Sequence, residues 1–257
     1  MSENLHYSSP SISLITVTFN AAKVLSNLVE SIRQQTDHEF EWVVIDGAST
    51  DGTIDIIKSA KDVVTKFISE ADFGIYDAIN KGIKLATGDY YLVLGADDSL
   101  APEGVELYRR AALETNADLI TGAIELKHGI KYPKEKFIRI RGMYSVITSH
   151  SVGCLIRKSL HKQFGYYSRR YPIAADTEFL LNSYLNGATL AKIYRVVGKF
   201  TAGHYGRDSL GCHIENFKIQ VESGSSLFLE SILFFKRIFQ DYRRITIQIH
   251  NRRNNQI

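Results

Sequence analysis

The chain has only two cysteines, Cys154 and Cys212, and they lie far apart with no C-x-x-C pair and no histidine cluster beside them. That excludes a disulfide framework, gives no sign of a zinc site and fits a reducing, cytoplasmic setting. No stretch approaches the roughly 18 consecutive apolar residues of a membrane span. In the most apolar segment, 227–239, Glu230, Lys236 and Arg237 interrupt the run. The start, MSENLHYSSP, lacks the basic and apolar regions of a secretory signal, so the chain is expected to stay where it is made. Gly-rich phosphate cradles are missing too. Neither G-x-x-x-x-G-K-[ST] nor a post-strand G-x-G-x-x-G occurs, which argues against a P-loop NTPase and a dinucleotide dehydrogenase. There are no repeats, no low-complexity tract and no Pro-, Gly- or Ser-rich linker. The simplest division is one continuous domain, 1–223, followed by a C-terminal segment, 224–257.

What is present is a globular composition. Of 257 residues, 44% are apolar and 23% charged, enough chain to bury about three quarters of its unfolded surface. The net charge of +3 hides two opposed features. Residues 224–257 carry six Lys+Arg against two Asp+Glu, whereas 46–98 hold ten carboxylates and five lysines. The main body therefore lacks the basic face that nucleic-acid binding needs.

The first hundred residues alternate. Strands are expected at 12–18, 40–46, 64–69 and 90–95, with helices at 21–35, 53–60 and 75–86 between them. A helix at 102–114 and a strand at 118–124 follow, then a loosely patterned hairpin or loop, a helix at 175–186 and a strand at 190–197. This order predicts an α/β fold, a mostly parallel Rossmann-like sheet flanked by helices.

In such sheets ligands bind beyond the carboxyl ends of the strands. Those positions are polar here: Thr18, Phe19 and Asn20, then Asp46-Gly-Ala-Ser-Thr-Asp51-Gly, then Glu70 and Asp72, then Ala96-Asp97-Asp98. Ser49 or Asp51 can equally be read as a cap for the following helix. Asp97-Asp98 is different. Two adjacent carboxylates after an apolar strand repel each other and lose solvation, a cost that a divalent cation removes. Mg2+ or Mn2+ with oxygen ligands, completing its shell with substrate phosphate, is the natural cofactor.

At these residues the sequence resembles glycosyltransferase family 2, inverting nucleotide-sugar transferases with a GT-A type fold. The resemblance rests on Ile15-Thr-Val-Thr-Phe-Asn20, Asp46-Gly-Ala-Ser-Thr-Asp-Gly52, the segment from Ser69 to Gly82, Gly95-Ala-Asp-Asp98 and Ala174-Ala-Asp-Thr-Glu178. Among relatives it looks most like small bacterial enzymes of surface-polysaccharide and O-antigen synthesis. The resemblance implies a nucleotide-binding half at 11–98 and an acceptor half at 99–223. It implies that Asp46 accepts the uracil N3–H, that Thr18 and Phe19 lie against the base, that Asn20 is nucleotide-binding, and that Asp72, Asn80 and Lys81 line the nucleotide pocket. Asp97 falls near the ribose and donor sugar, and Asp98 on a metal bridging the phosphates. Asp176 matches the general base, with a helix cap as its alternative reading and Glu178 as a substitute. His-Gln and Gly-Gly-x-Ser segments common in relatives are altered here at His150-Ser151 and 202–209. His150, His204 and Arg207 remain candidates for acceptor or phosphate contacts, and His150 also reads as a packed residue beside the acceptor cleft.

In the tail, Phe228, Ile232, Phe235, Phe239 and Tyr242 recur at helical spacing with Lys236, Arg237, Arg243 and Arg244 beyond them. Such a basic amphipathic helix suits an anionic membrane surface, the body of the protein or a second subunit of a homo-oligomer. The expected partners are a nucleotide-sugar donor, of UDP type, and a saccharide acceptor of lipid-linked type at the inner face of the cell membrane. Two rivals stand beside this reading. A sugar-phosphate nucleotidyltransferase needs a Gly-rich basic loop after the first strand, where Thr18-Phe-Asn-Ala-Ala-Lys23 has one Lys and no Gly. A non-catalytic binding relative would be expected to lose Asp98 or Asp176.

Overall fold

The computed structural model describes residues 9–134, 138, 142–201 and 209–254. Strand β1 (Ile12–Thr18) is buried along nearly its whole length because it has parallel partners on both sides. These are β2 (Phe40–Asp46) and β4 (Tyr90–Gly95). Its alternate side chains separate two cores. Ile12 and Leu14 pack with Leu25, Leu28 and Ile32 of helix α1 (Leu25–Arg33) and with Trp42 of β2. Ile15 faces the other side, with Ile79 and Ile83 of α3 (Ile75–Leu85) and Tyr91 and Val93 of β4. Gly82 lets α3 lie this close, since a Cβ there would sit 2.5 Å from Ile15 Cγ2.

Helix α2 (Thr53–Ser59) leads to β3 (Lys66–Ser69), which pairs in parallel with β2. The chain thus runs outward from β1 through β2 to β3, then returns through α3 to β4 on the far side of β1. The carboxyl ends of β1 and β4 therefore flank the point where strand order reverses, the position at which open α/β sheets bind ligands.

Beyond Gly95 the sheet becomes mixed. A short strand β5 (Ser99–Leu100) and helix α4 (Gly104–Thr115) precede β6 (Leu119–Leu126), which forms a hairpin with β7 (Gly129–Lys131). Strand β8 (Cys154–Arg157) inserts antiparallel between β4 and β6, and β9 (Leu190–Lys199) lies parallel to β6 and antiparallel to β5. The strand order is β3-β2-β1-β4-β8-β6-β9-β5, so the expected parallel character holds through β4 and gives way to a mixed second half. Four-residue β8 carries too little pattern to be read as a strand. Helix α5 (Leu160–Phe164) and helix α6 (Ala175–Leu185) cover this half.

The first helix starts later than its periodicity suggests. The backbone N–H groups of Asn20, Ala21 and Ala22 donate to Ser49, Thr53 and Asp51 of the loop after β2, tying the two loops together ahead of the helix. At the C-terminus, α7 (Ser209–Glu222) and α8 (Leu227–Asn254) form an antiparallel hairpin turned at Gly224, with Phe217 against Phe234 and His213 bonded to Asp241. The 223/224 division falls in that turn. No described helix is long and apolar enough to cross a membrane.

One ionic staple holds the amino ends of the parallel strands. Glu41 of β2 accepts from Ser13 Oγ at 2.5 Å, from Lys66 Nζ at 2.9 Å and from the Thr87 backbone N–H. Burial pushes its carboxyl up, but the bonds from Lys66, Ser13 and Thr87 outweigh that and hold it at about 2. A depressed carboxyl stabilises the fold above its unfolded value and loses that contribution as pH falls through the folded one. Glu41→Gln should therefore cost about 1–2 kcal/mol at neutral pH and progressively less as pH falls toward 2, read by denaturant unfolding across that range.

Candidate active site at the strand ends

The site grows from two buried carboxylates, Asp46 and Asp98, and a partly buried one, Asp176. Asp46 ends β2 with no exposed surface. Its Oδ1 accepts from Thr18 Oγ1 at 2.8 Å and Ser49 Oγ at 2.5 Å, and its Oδ2 from the Ser49 N–H at 2.9 Å and Ser69 Oγ at 2.7 Å. Burial raises its carboxyl, but these donors prevail and hold it below the usual range. All four acceptor positions are thus met by protein. A base N–H can reach Asp46 only by replacing one of the hydroxyls.

Around it the nucleotide-side candidates gather unevenly. Phe19 stands 65% exposed at the rim, and a Cβ on Gly47 would lie 2.7 Å from Asp72 Oδ2 and 3.4 Å from the Phe19 ring. Phe19, Gly47 and Asp72 therefore share one small floor. Asn20 adopts a left-handed φ of 49° and accepts from Thr50 N–H, so it shapes the loop. Lys81 pairs with Glu70 at 2.7 Å and Asp77 at 3.7 Å, and Glu70 in particular lifts its ammonium above the ordinary value. Asn80 is used elsewhere: both ends of its amide clasp the backbone of Tyr167, at 2.9 and 3.0 Å. Ser49 and Asp51 are not helix caps in the usual sense. The N-cap of α2 is Gly52, while Asp51 receives Thr53 N–H and Ala22 N–H and Ser49 bonds Asp46.

The second carboxylate, Asp98, is 1% exposed just past β4, with half-buried Asp97 beside it. Its Oδ2 accepts from Gly95 N–H and Ser151 Oγ, and its Oδ1 from Thr201 N–H at 3.0 Å. Burial pushes it up to about 6 against those bonds, and the charge of Asp97 adds to the rise. One lone pair on Oδ1 remains.

The third, Asp176, lies in the first turn of α6, two residues after the N-cap Ala174. Its Oδ1 is 2.9 Å from the Tyr76 hydroxyl, and its Oδ2 accepts from the Tyr144 hydroxyl. Burial first, then the Asp176 charge, pushes both phenols well up, so they stay protonated as donors. His150 Nδ1 faces the same Oδ2 at 3.9 Å. Glu178 turns to the opposite flank of α6, where with Asn182, Asn186 and Glu222 it lines a groove of about 460 Å³ against α7. His204 and Arg207 lie outside the described residues.

Tyr76, Tyr144 and Ser151 are the participants that sequence reasoning passed over. Tyr76 sits inside the segment singled out from Ser69 to Gly82, but Tyr144 has no local signal, and Ser151 was seen only as half of an altered dipeptide.

The chain matches the glycosyl transferase family 2 over residues 13–174. A "PGL/p-HBAD biosynthesis glycosyltransferase" of Mycobacterium bovis is 35% identical over 194 residues, 73% of this chain and 75% of that protein. The chain belongs to glycosyltransferase family 2. Solved structures agree on the fold. S. aureus TarS 1–349 in complex with UDP-GlcNAc superposes with a TM-score of 0.70 at 20% identity, covering 90% of this chain and 73% of that one. The mannosyltransferase PcManGT from Pyrobaculum calidifontis, in complex with GDP-Man and Mn2+, gives 0.62 at 18% identity over 84% and 64%. The protein is thus a glycosyltransferase with a GT-A-like mixed sheet and helices at its C-terminus.

The donor set of this family 2 glycosyltransferase can be tested for a cation from its own chemistry. Among the described residues no cluster of three or more His, Cys, Asp or Glu side chains forms a cage. Asp98 and Asp97 fit a hard cation held mostly by a substrate's phosphate oxygens, because Mg2+ and Mn2+ tolerate one or two carboxylates when phosphate and water complete the shell.

Proposed function

We propose that this glycosyltransferase moves a sugar, with inversion, from a UDP-sugar onto the hydroxyl of a lipid-linked saccharide destined for a surface glycan. One observation carries the reading. Consecutive residues connect the two chemical ends of the reaction, Ser151 bonding Asp98 and His150 facing Asp176. A carboxylate suited to a diphosphate's cation and a carboxylate suited to deprotonating an acceptor are thus held one residue apart. Asp98, with Asp97, would hold Mn2+ or Mg2+, whose charge offsets that developing on the leaving diphosphate. Phe19 offers its exposed ring to the base, and Asp176 takes the acceptor proton as its oxygen attacks the anomeric carbon.

The TarS complexes with UDP and UDP-GlcNAc support a UDP donor, and PcManGT, solved instead with GDP-Man, supports the cation through its Mn2+. On α8, Phe228, Ile232, Phe235, Phe239 and Tyr242 are all at least half exposed, from 50% to 77%, and form one apolar stripe. Lys236 and Arg237 lie beside it. That face suits the inner surface of an anionic membrane, where a lipid-borne acceptor would be met.

Screening nucleotide-sugars with Mn2+ for thermal stabilisation should return a UDP-sugar. In calorimetry, Asp98→Ala should abolish Mn2+-dependent UDP binding, and an unchanged affinity would remove Asp98 from the metal role. Asp176→Asn should keep donor affinity and lower turnover by about 10²–10⁴-fold, the scale of a general base. Wild-type turnover would exclude Asp176. Replacing the exposed Phe228, Phe235 and Phe239 by Ser leaves the α7 contacts in place. It should release the protein from phosphatidylglycerol vesicles in a sedimentation assay, whereas continued co-sedimentation would refute membrane docking.

A further inference from the structure

Beneath Asp176 runs a buried chain of hydrogen bonds whose direction can be deduced link by link. It ends at the Gly165 carbonyl, which is 2.8 Å from His161 Nδ1 and can only accept. His161 Nδ1 therefore carries the proton. His161 is neutral, because burial lowers it to about 4, so its Nε2 is bare. The Tyr91 hydroxyl, 2.8 Å from that nitrogen, must donate to it. With its one proton committed, Tyr91 accepts from the Tyr167 hydroxyl at 2.6 Å. Tyr167 in turn accepts from His150 Nε2 at 2.7 Å, so that nitrogen bears a hydrogen. Burial also lowers His150, which favours its neutral form. A neutral imidazole with hydrogen on Nε2 has a bare Nδ1, and that is the atom turned toward Asp176 Oδ2 at 3.9 Å.

We propose that His150 is a positioning residue for glycosyl transfer: the chain through Tyr167, Tyr91 and His161 fixes its Nε2–H tautomer and aims a bare Nδ1 at Asp176. This rests on Asp176 being the base. At rest the carboxylate oxygen and the imidazole nitrogen are both acceptors, which accounts for a separation too long for a hydrogen bond. A proton arriving between them converts the pair into a hydrogen bond. The acceptor's O–H proton passes to Asp176 Oδ2 and is shared with Nδ1. The freed oxygen pair forms the new bond to the anomeric carbon, while the old glycosidic bond breaks with its electrons on the departing diphosphate. His150 thus keeps the proton from returning to the nucleophile before the leaving group has gone.

The surroundings are built to hold this arrangement. Asn80 clasps the Tyr167 backbone at both ends, and Phe179 stacks on His161 at 4.3 Å and meets Tyr167 edge-on at 5.2 Å. His150 meets Tyr167 at a T-shaped 84°. The ionisable groups around the pair are Tyr76 and Tyr144 on Asp176, Tyr167 and His161 along the chain, and Lys131, which lies 5.9 Å over the Tyr144 ring.

The test is nitrogen NMR of the full chain with 15N-labelled histidine at neutral pH, with His150→Gln used for assignment. His150 should show a pyridine-like Nδ1 and a pyrrole-like Nε2. A protonated Nδ1, or a charged ring at neutral pH, would overturn the proposal without any variant having to be active. Tyr91→Phe touches neither His150 nor Asp176. It should give a mixture of His150 tautomers and lower kcat about tenfold at unchanged donor KM, measured as UDP release from the UDP-sugar chosen by the stabilisation screen. Unchanged kcat and tautomer in that variant would also overturn it. If Asp176→Asn is inactive while Tyr91→Phe is normal, only the positioning role fails. If Asp176→Asn turns over normally, the base assignment itself falls.

Discussion

A carboxylate taken out of water must be met by donors, and the working rim of this protein is organised by that requirement at three places. Asp46 is satisfied completely, by hydroxyls and an N–H from three different strand ends and loops. Those bonds fix the loops after β1, β2 and β3 relative to one another, and so the floor on which Phe19 and Asp72 stand. Asp98 is satisfied only in part and is pushed up to about 6 beside Asp97. Asp176 is met by two phenols and faces a histidine that has no proton to give it. The degree of satisfaction is in keeping with the proposed roles. The fully bonded Asp46 ties loops together, the partly bonded Asp98 keeps a lone pair that a cation would use, and Asp176 would take a proton.

Topology explains why Asp98 and Asp176 have consecutive residues, Ser151 and His150, as neighbours. Strand order reverses beside β1, so the crevice opens where β1 and β4 end, and the α3 crossover carries Tyr76 over to the acceptor side. Antiparallel β8 then brings the preceding residues, His150 and Ser151, back to the end of β4, where Val152 N–H bonds the Val93 carbonyl. A backbone return of this kind puts the neighbours of Asp98 and Asp176 on consecutive residues without any long-range wire.

The first half of the fold was legible because parallel strands buried on both faces read as apolar runs, and β1, β2 and β4 begin and end where those runs do. Asp98 stood out as a candidate because a paired carboxylate after an apolar strand is costly unless a cation or donors meet it, whereas Asp176 stood out only through the family resemblance, an acid in a helix's first turn being favourable in itself. Tyr144 and the His161 chain did not stand out, since their meaning lies in contacts between segments separated by tens of residues. Asn80 shows the converse. Its place in a nucleotide-lining segment suggested a ligand contact, but a side chain one helical turn from Tyr76 is within reach of Tyr167 and bonds its backbone through both amide ends. The late start of α1 has the same origin, in donors diverted to a neighbouring loop that no single-segment pattern records.

The separation of charge gains a physical sense from this arrangement. An acidic rim holding a nucleotide diphosphate repels an anionic surface, so the rim itself is unsuited to finding a membrane-borne acceptor. On the proposed membrane docking, adhesion would come from elsewhere on the molecule and would leave the rim open. Helix α8 satisfies both conditions. It is fixed to α7 by Phe234 and Asp241, its Phe228, Ile232, Phe235, Phe239 and Tyr242 stripe is exposed, and α7 packs in turn on α6, which carries Asp176 in its first turn. Docking through α8 would therefore set the height of the base above a surface through two packed helices. The hydrophobic stripe would provide most of the adhesion and the neighbouring Lys236 and Arg237 the preference for anionic lipid, because apolar burial is indifferent to headgroup charge while the cations are not.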